Sequence, residues 1–178
     1  MKNRAIFAVA FAAVCVCSHA EERVISGYAN QSIIMLGSKE RRYGYGLSMQ
    51  FIRPEKRFAI RNTPGELVWE GYIEQSRSDH FFSKITGESP RKMNLIGALA
   101  SGRYRFGSFY AEAGWGLSIA DKSAYDTDSK LNSTPTVGIG YSAGKIQVAL
   151  RLMHLSNGGT NGHNKGQNRL WLMVGTKF

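Results

Sequence analysis

His154, Ser156 and Asn168 are the residues whose types and spacing best suit nucleophilic chemistry in this chain. A serine hydroxyl is a weak nucleophile until a neighbouring base accepts its proton, and imidazole is the usual base near neutral pH. His154 and Ser156 are two residues apart, so on a β-strand they share one face and lie within side-chain reach. Asn168 can serve as the third group, because its side-chain oxygen accepts a hydrogen bond and so fixes the imidazole tautomer. It brings no negative charge and stabilises an imidazolium less than a carboxylate would. A His-x-Ser pair also arises by chance, and the same three residues suit a polar rim at a membrane interface.

Bringing the three together requires a hairpin. Ile146, Val148, Leu150 and Leu152 alternate along one face of a run that His154 and Ser156 continue. Leu170, Leu172, Val174 and Phe178 alternate along the next, which Asn168 opens. A hairpin symmetric about position 161 sets His154 directly opposite Asn168, with Cβ atoms about 4.5–5.5 Å apart.

Six further runs of this kind precede that hairpin. Alternating stretches separated by Gly, Ser, Asn, Asp or Pro fall near 31–38, 43–53, 66–77, 92–103, 109–120 and 132–142, followed by 146–156 and 168–178. The expected fold is all-β, an eight-stranded antiparallel transmembrane β-barrel. Within 109–120, Phe109, Ala111, Ala113, Trp115, Leu117 and Ile119 oppose a face of small or charged residues. The same alternation suits a soluble barrel with its apolar face inward. Two features favour the membrane version: Glu70, Glu74, Glu112, Arg151 and Arg169 can pair in a narrow lumen, and the chain ends on an apolar strand closed by Phe178. With both termini periplasmic, residues 54–65, 104–108 and 143–145 are expected as periplasmic turns. Residues 39–42, 78–91, 121–131 and 157–167 are then expected to face outward.

The N-terminus reads as a secretory signal peptide over residues 1–20, with the barrel over 21–178. Lys2 and Arg4 precede an apolar run from Ala5 to Cys17, and Ser18-His19-Ala20 forms a small-residue exit. Cys15 and Cys17 leave with it, which excludes thiol catalysis and cysteine-ligated metal from the mature chain. The formal net charge of +10 falls by two with Lys2 and Arg4, and the remaining excess suits an anionic glycolipid. Export argues against nucleic acid as a partner. His163 and His80 read as loop residues; no metal-ligand spacing is present, and no cofactor is expected.

The segment His154-Leu155-Ser156-Asn157-Gly158, followed by Asn164-Lys165-Gly166-Gln167-Asn168 before the last strand, resembles the lipid A 3-O-deacylases of the PagL type. The resemblance extends loosely over the mature chain. It implies a metal-free outer-membrane esterase that hydrolyses the acyl chain at position 3 of the lipid A disaccharide. Carried onto matching positions, Ser156 is the nucleophile, His154 the general base and Asn168 the third member, at a position where relatives carry Glu or Asn. Asn157 and the backbone N–H groups near Gly158 and Gly159 become oxyanion-hole candidates. Lipopolysaccharide is then the substrate and outer-membrane lipids are the surroundings, with Lys122, Lys130 and Lys165 available for phosphates; a homodimer is compatible. Two other readings stay open at this point: a non-catalytic barrel serving as adhesin or structural protein, and a phospholipid hydrolase or acyltransferase of the same architecture.

Overall fold

The computed structural model describes residues 21–33, 41–60, 63–78, 92–123, 129–159 and 166–178. The expected signal peptide lies outside them. The elements are β1 (Glu22–Ser32), β2 (Arg42–Ile60), β3 (Thr63–Ser78), β4 (Lys92–Phe106), β5 (Phe109–Ala120), β6 (Leu131–Ser133), β7 (Thr136–Ala143), β8 (Ile146–Leu155) and β9 (Gln167–Lys177). Every pairing is antiparallel between neighbours, and β1 closes onto β9. β6 and β7 occupy one position in the wall, both pairing with β5. The result is a closed eight-stranded antiparallel barrel, as expected.

Two expectations about the strands are corrected. The first strand spans Glu22–Ser32 rather than 31–38. Its outward face, Arg23, Ile25, Gly27, Ala29 and Gln31, is barely apolar, whereas Ile33 to Leu36 form a continuous apolar run that drew the boundary too late. The expected turn at 54–65 is mostly strand, because β2 runs to Ile60 and β3 starts at Thr63, with a register irregularity between Glu55 and Ile60. Residues Pro54 to Arg57 read as a loop because an extended ladder with polar side chains loses the period-2 alternation that betrays a half-buried strand. The short turns at Gly107 and Gly144 both use a positive φ, 64° and 54°.

The wall is inverted relative to a soluble barrel. Ile73, Ile96, Trp115, Leu117, Ile139 and Leu172 are among the large apolar side chains exposed on the exterior. Glu70, Glu74, Glu112, Arg103, Arg151 and Arg169 have side chains fully buried inside. An apolar surface of that extent would drive association in water; facing lipid it is the solvated surface.

The lumen is filled by charge pairs and aromatics. Arg151 donates to both oxygens of Glu70 at 2.9 and 2.8 Å and to Oε1 of Glu112 at 3.0 and 2.7 Å. Arg103 donates to Oε2 of Glu112 at 3.1 and 2.9 Å, and to Gln147 and Gln50 at 3.2 and 3.0 Å. Nearer the other rim, Arg169 pairs with Glu74, which also accepts from Asn30 at 2.7 Å. Buried charges persist only where each is paired and hydrogen-bonded, as these guanidinium and carboxylate groups are. Beside it Trp171 stacks on Tyr28 at 4.0 Å and meets the edge of Tyr72 at 5.3 Å. These contacts fix β1, β3 and β9 against one another, and with them the strand that carries Asn168.

Candidate active site

The site is built on the last hairpin. Along β8 the inward positions are Gln147, Ala149, Arg151, Met153 and Leu155, so His154 lies on the exterior face with Val148 and Leu150, and Ser156 continues it. The register with β9 sets His154 opposite Asn168. Their side chains meet across the pair, with His154 Nδ1 2.9 Å from Asn168 Oδ1. That oxygen can only accept, so Nδ1 carries the proton and Nε2 presents its lone pair.

Gly166 sets where that lone pair points. An added Cβ at Gly166 would lie 2.3 Å from His154 Cε1 and 2.7 Å from Nε2, so the Cε1–Nε2 edge of the ring rests directly over this residue. By continuation of the β8–β9 register, Gly166 stands opposite Ser156. The imidazole thus meets Asn168 at one ring nitrogen and rests its other edge over Gly166, while the Ser156 hydroxyl is paired with Ser133. The backbone of Gly166 has φ 69°, so glycine is favoured there for conformation as well as for space.

Ser156 is held by the strand on its other side. Ser133 and Ser156 form a backbone bridge, with Ser133 N donating to Ser156 O at 2.7 Å and Ser156 N to Ser133 O at 3.1 Å. Their hydroxyl oxygens are 3.1 Å apart. His154 N donates to Pro135 O at 2.9 Å, one rung along the same seam. Proline carries no N–H, and here its carbonyl alone is needed. Ser133, Pro135 and Gly166 were not singled out in the sequence. Gly166 was visible inside the Asn-x-Gly-x-Asn pattern, but Ser133 and Pro135 meet the site only through a strand pairing that no local spacing encodes.

The three oxyanion candidates are placed unequally. Asn157 is buried on the side opposite Ser156, and its Oδ1 accepts from Gly159 N at 2.9 Å. That bond engages the Gly159 N–H, so Asn157 acts on the turn, where Gly158 and Gly159 both have positive φ, 64° and 75°. Lys122 and Lys130 are exposed on the β5–β6 side. Lys165, Asn164, His163 and His80 lie outside the described residues. No group of three or more His, Cys, Asp or Glu suited to a metal occurs among the described residues.

The rim near the site carries a hydrogen-bonded belt on its exterior. Tyr45 donates to Gln75 at 2.7 Å, Gln75 to Asn94 at 3.1 Å, and Asn94 to Asp121 through backbone and side chain at 2.9 and 2.8 Å. The Asn94 backbone N–H holds the Asp121 carboxyl below its ordinary range. One step toward the barrel middle the same strands turn apolar, with Leu47, Ile73, Ile96 and Ile119 lining a cleft of about 810 Å³. Ser133 pairs with Leu117, four residues from Asp121 along β5.

The fold defines an outer-membrane β-barrel, with the His154–Asn168 pair and Ser156 together on its lipid-facing wall. The model of the lipid A 3-O-deacylase (PagL) family matches residues 42–177, and the chain belongs to that family. Among solved structures, the crystal structure of the outer-membrane enzyme PagL superposes with a TM-score of 0.60 at 16% identity, covering 85% of this chain and 97% of that one. The N-terminal β-barrel domain of Pseudomonas aeruginosa OprF gives 0.51 at 14%, covering 89% and 98%. The Yersinia pestis outer-membrane protein Ail gives 0.51 at 14%, covering 88% and 99%. A comparison with curated protein sequences gave no match. The barrels of OprF and Ail are alike in fold alone.

Proposed function

We propose that this protein is a serine esterase that removes the 3-O-linked acyl chain of lipid A within the outer leaflet, and that residues 1–20 direct its export. The observation that carries the reading is the His154 Nδ1–Asn168 Oδ1 bond on the exterior wall, which leaves Nε2 free to act as a base at the Ser156 end of the hairpin. In the first half-reaction Ser156 Oγ bonds to the ester carbonyl carbon while its proton passes to His154 Nε2. The carbonyl electron pair moves onto oxygen, then returns as the bond to the sugar oxygen breaks, and that oxygen takes the proton from His154. Water repeats the sequence on the acyl-enzyme and releases the fatty acid and free Ser156. Asn168 holds the ring in the required tautomer throughout. The Gly158 N–H, on a turn shaped by Asn157, is available as an oxyanion donor.

Position selects the substrate. The hydroxyl sits on the exterior wall at the end of a strand whose outward residues Ile146, Val148 and Leu150 are apolar and exposed, where such a strand passes from acyl chains to headgroups. A lipid in the leaflet reaches it sideways and needs no channel. Exposed Lys122 and Lys130 offer positive charge near the phosphates.

The test is refolded protein in detergent with purified lipid A, or with phospholipid, in ¹⁸O-labelled water. Release of a 3-hydroxy fatty acid carrying one ¹⁸O from lipid A alone is the expected result. Release from phospholipid would reassign the substrate, and transfer of the chain to another lipid without ¹⁸O would make the protein an acyltransferase.

A further inference from the structure

Ser133 presents a second hydroxyl to the site from across the seam. It ends β6 on the exterior face, and its Oγ lies 3.1 Å from Ser156 Oγ. Two reciprocal backbone bonds to Ser156 fix the pair, and the neighbouring rung from His154 N to Pro135 O prevents slippage. Just past Ser133 the β6–β7 strand is interrupted at Thr134-Pro135, and Thr134 N turns to Gly116 O at 2.9 Å on the other neighbour. The register is the same on both sides of the break, so the interruption leaves Ser133 aligned with Ser156.

We propose that the Ser133 hydroxyl is an oxyanion donor of this site, an inference that rests on Ser156 being the nucleophile. For catalysis the Ser156 proton must point to His154 Nε2, which leaves lone pairs on Ser156 Oγ to accept from Ser133 in the resting enzyme. When Ser156 Oγ bonds to the carbonyl carbon it becomes an ester oxygen and a poorer acceptor. The carbonyl oxygen, attached to that same carbon, takes on the negative charge. A hydroxyl is a rotor, so Ser133 can turn its hydrogen from the attacking oxygen to the oxyanion without moving any heavy atom. The bond changes from neutral to charge-assisted as the transition state forms, and such bonds are roughly twice as strong. Stabilisation that appears only at the transition state raises kcat rather than tightening substrate binding. The lipid-facing setting excludes water and strengthens the effect. Ser133 also makes up for the Gly159 N–H that Asn157 engages.

The experiment measures lipid A deacylation in detergent by the full-length chain and by Ser133→Ala, Ser133→Thr and Ser156→Ala, each confirmed folded by its heat-dependent shift on a gel. A long-chain fluorophosphonate labels the nucleophile, and peptide mapping locates it. The expected result is a fall in kcat of about 100-fold for Ser133→Ala with KM and the acid limb of the pH profile unchanged. Ser133→Thr, which keeps the hydroxyl, restores most of it. Full kcat in Ser133→Ala, while Ser156→Ala is inactive and Ser156 takes the label, overturns the role of Ser133 and leaves the esterase reading intact. A shifted acid limb in Ser133→Ala also overturns it, since Ser133 would then act through His154. Label on a residue other than Ser156 defeats the esterase reading itself.

Discussion

His154 Nδ1 and Asn168 Oδ1 are 2.9 Å apart across a strand pair whose register places the two residues directly opposite. A neutral amide therefore orients the imidazole. Removing it in Asn168→Ala frees the ring to adopt the other tautomer, and kcat should fall by at least about 100-fold with the barrel still folded. Asn168→Asp keeps the acceptor and adds a negative charge beside the ring. An adjacent anion favours the protonated imidazole, so the acid limb of the pH–rate profile should move to higher pH. The pH profiles of both variants check this, and unchanged turnover in Asn168→Ala removes Asn168 from the site.

Gly166 is expected to tolerate no side chain. In Gly166→Ala the new Cβ meets His154 Cε1 at 2.3 Å on a backbone with φ 69°. The ring must swing out of its place between Asn168 and Gly166, and a displacement of about 1 Å is enough to cost roughly 100-fold in rate. The left-handed backbone adds about 1–2 kcal/mol of strain. Activity assays beside a denaturant titration should show a large loss of turnover with a small loss of stability.

The lumen should show the opposite division. Glu112 accepts from Arg103 and Arg151, all three with fully buried side chains. Glu112→Gln leaves two buried guanidinium groups short of charge, a loss of about 3–5 kcal/mol by analogy with broken buried pairs. Unfolding in urea should move to lower concentration by a corresponding amount. Turnover at temperatures where the variant is folded should stay near that of the unaltered protein, because Glu112 faces away from the site.

The hairpin that carries His154, Ser156 and Asn168 was legible because its two runs alternate cleanly up to the loop, so parity and a symmetric closure sufficed to pair the residues. The lumen charges were legible for the same reason: Glu70, Glu112 and Arg151 each fall on the face of their run opposite the alternating apolar residues. β1 was misplaced because Gly27 and Ala29 give its lipid face little hydrophobic signal, and because Tyr28 spends its aromatic ring inside, stacked on Trp171. The long β2–β3 ladder was hidden where polar residues occupy both of its faces. Ser133 could not be found from spacing at all. Its place beside Ser156 depends on β6 lying next to β8, a contact between residues 23 positions apart in the chain.

The most direct test of the central claim is mass spectrometry of lipid A from Gram-negative cells making this protein, beside cells making Ser156→Ala at equal folded levels in the outer membrane. The expected result is loss of one 3-hydroxyacyl chain from lipid A with the intact serine and none with Ser156→Ala. Equal deacylation by both proteins would contradict the assignment of Ser156. Unmodified lipid A from both, together with no fatty acid release by the purified protein in detergent, would contradict the esterase itself.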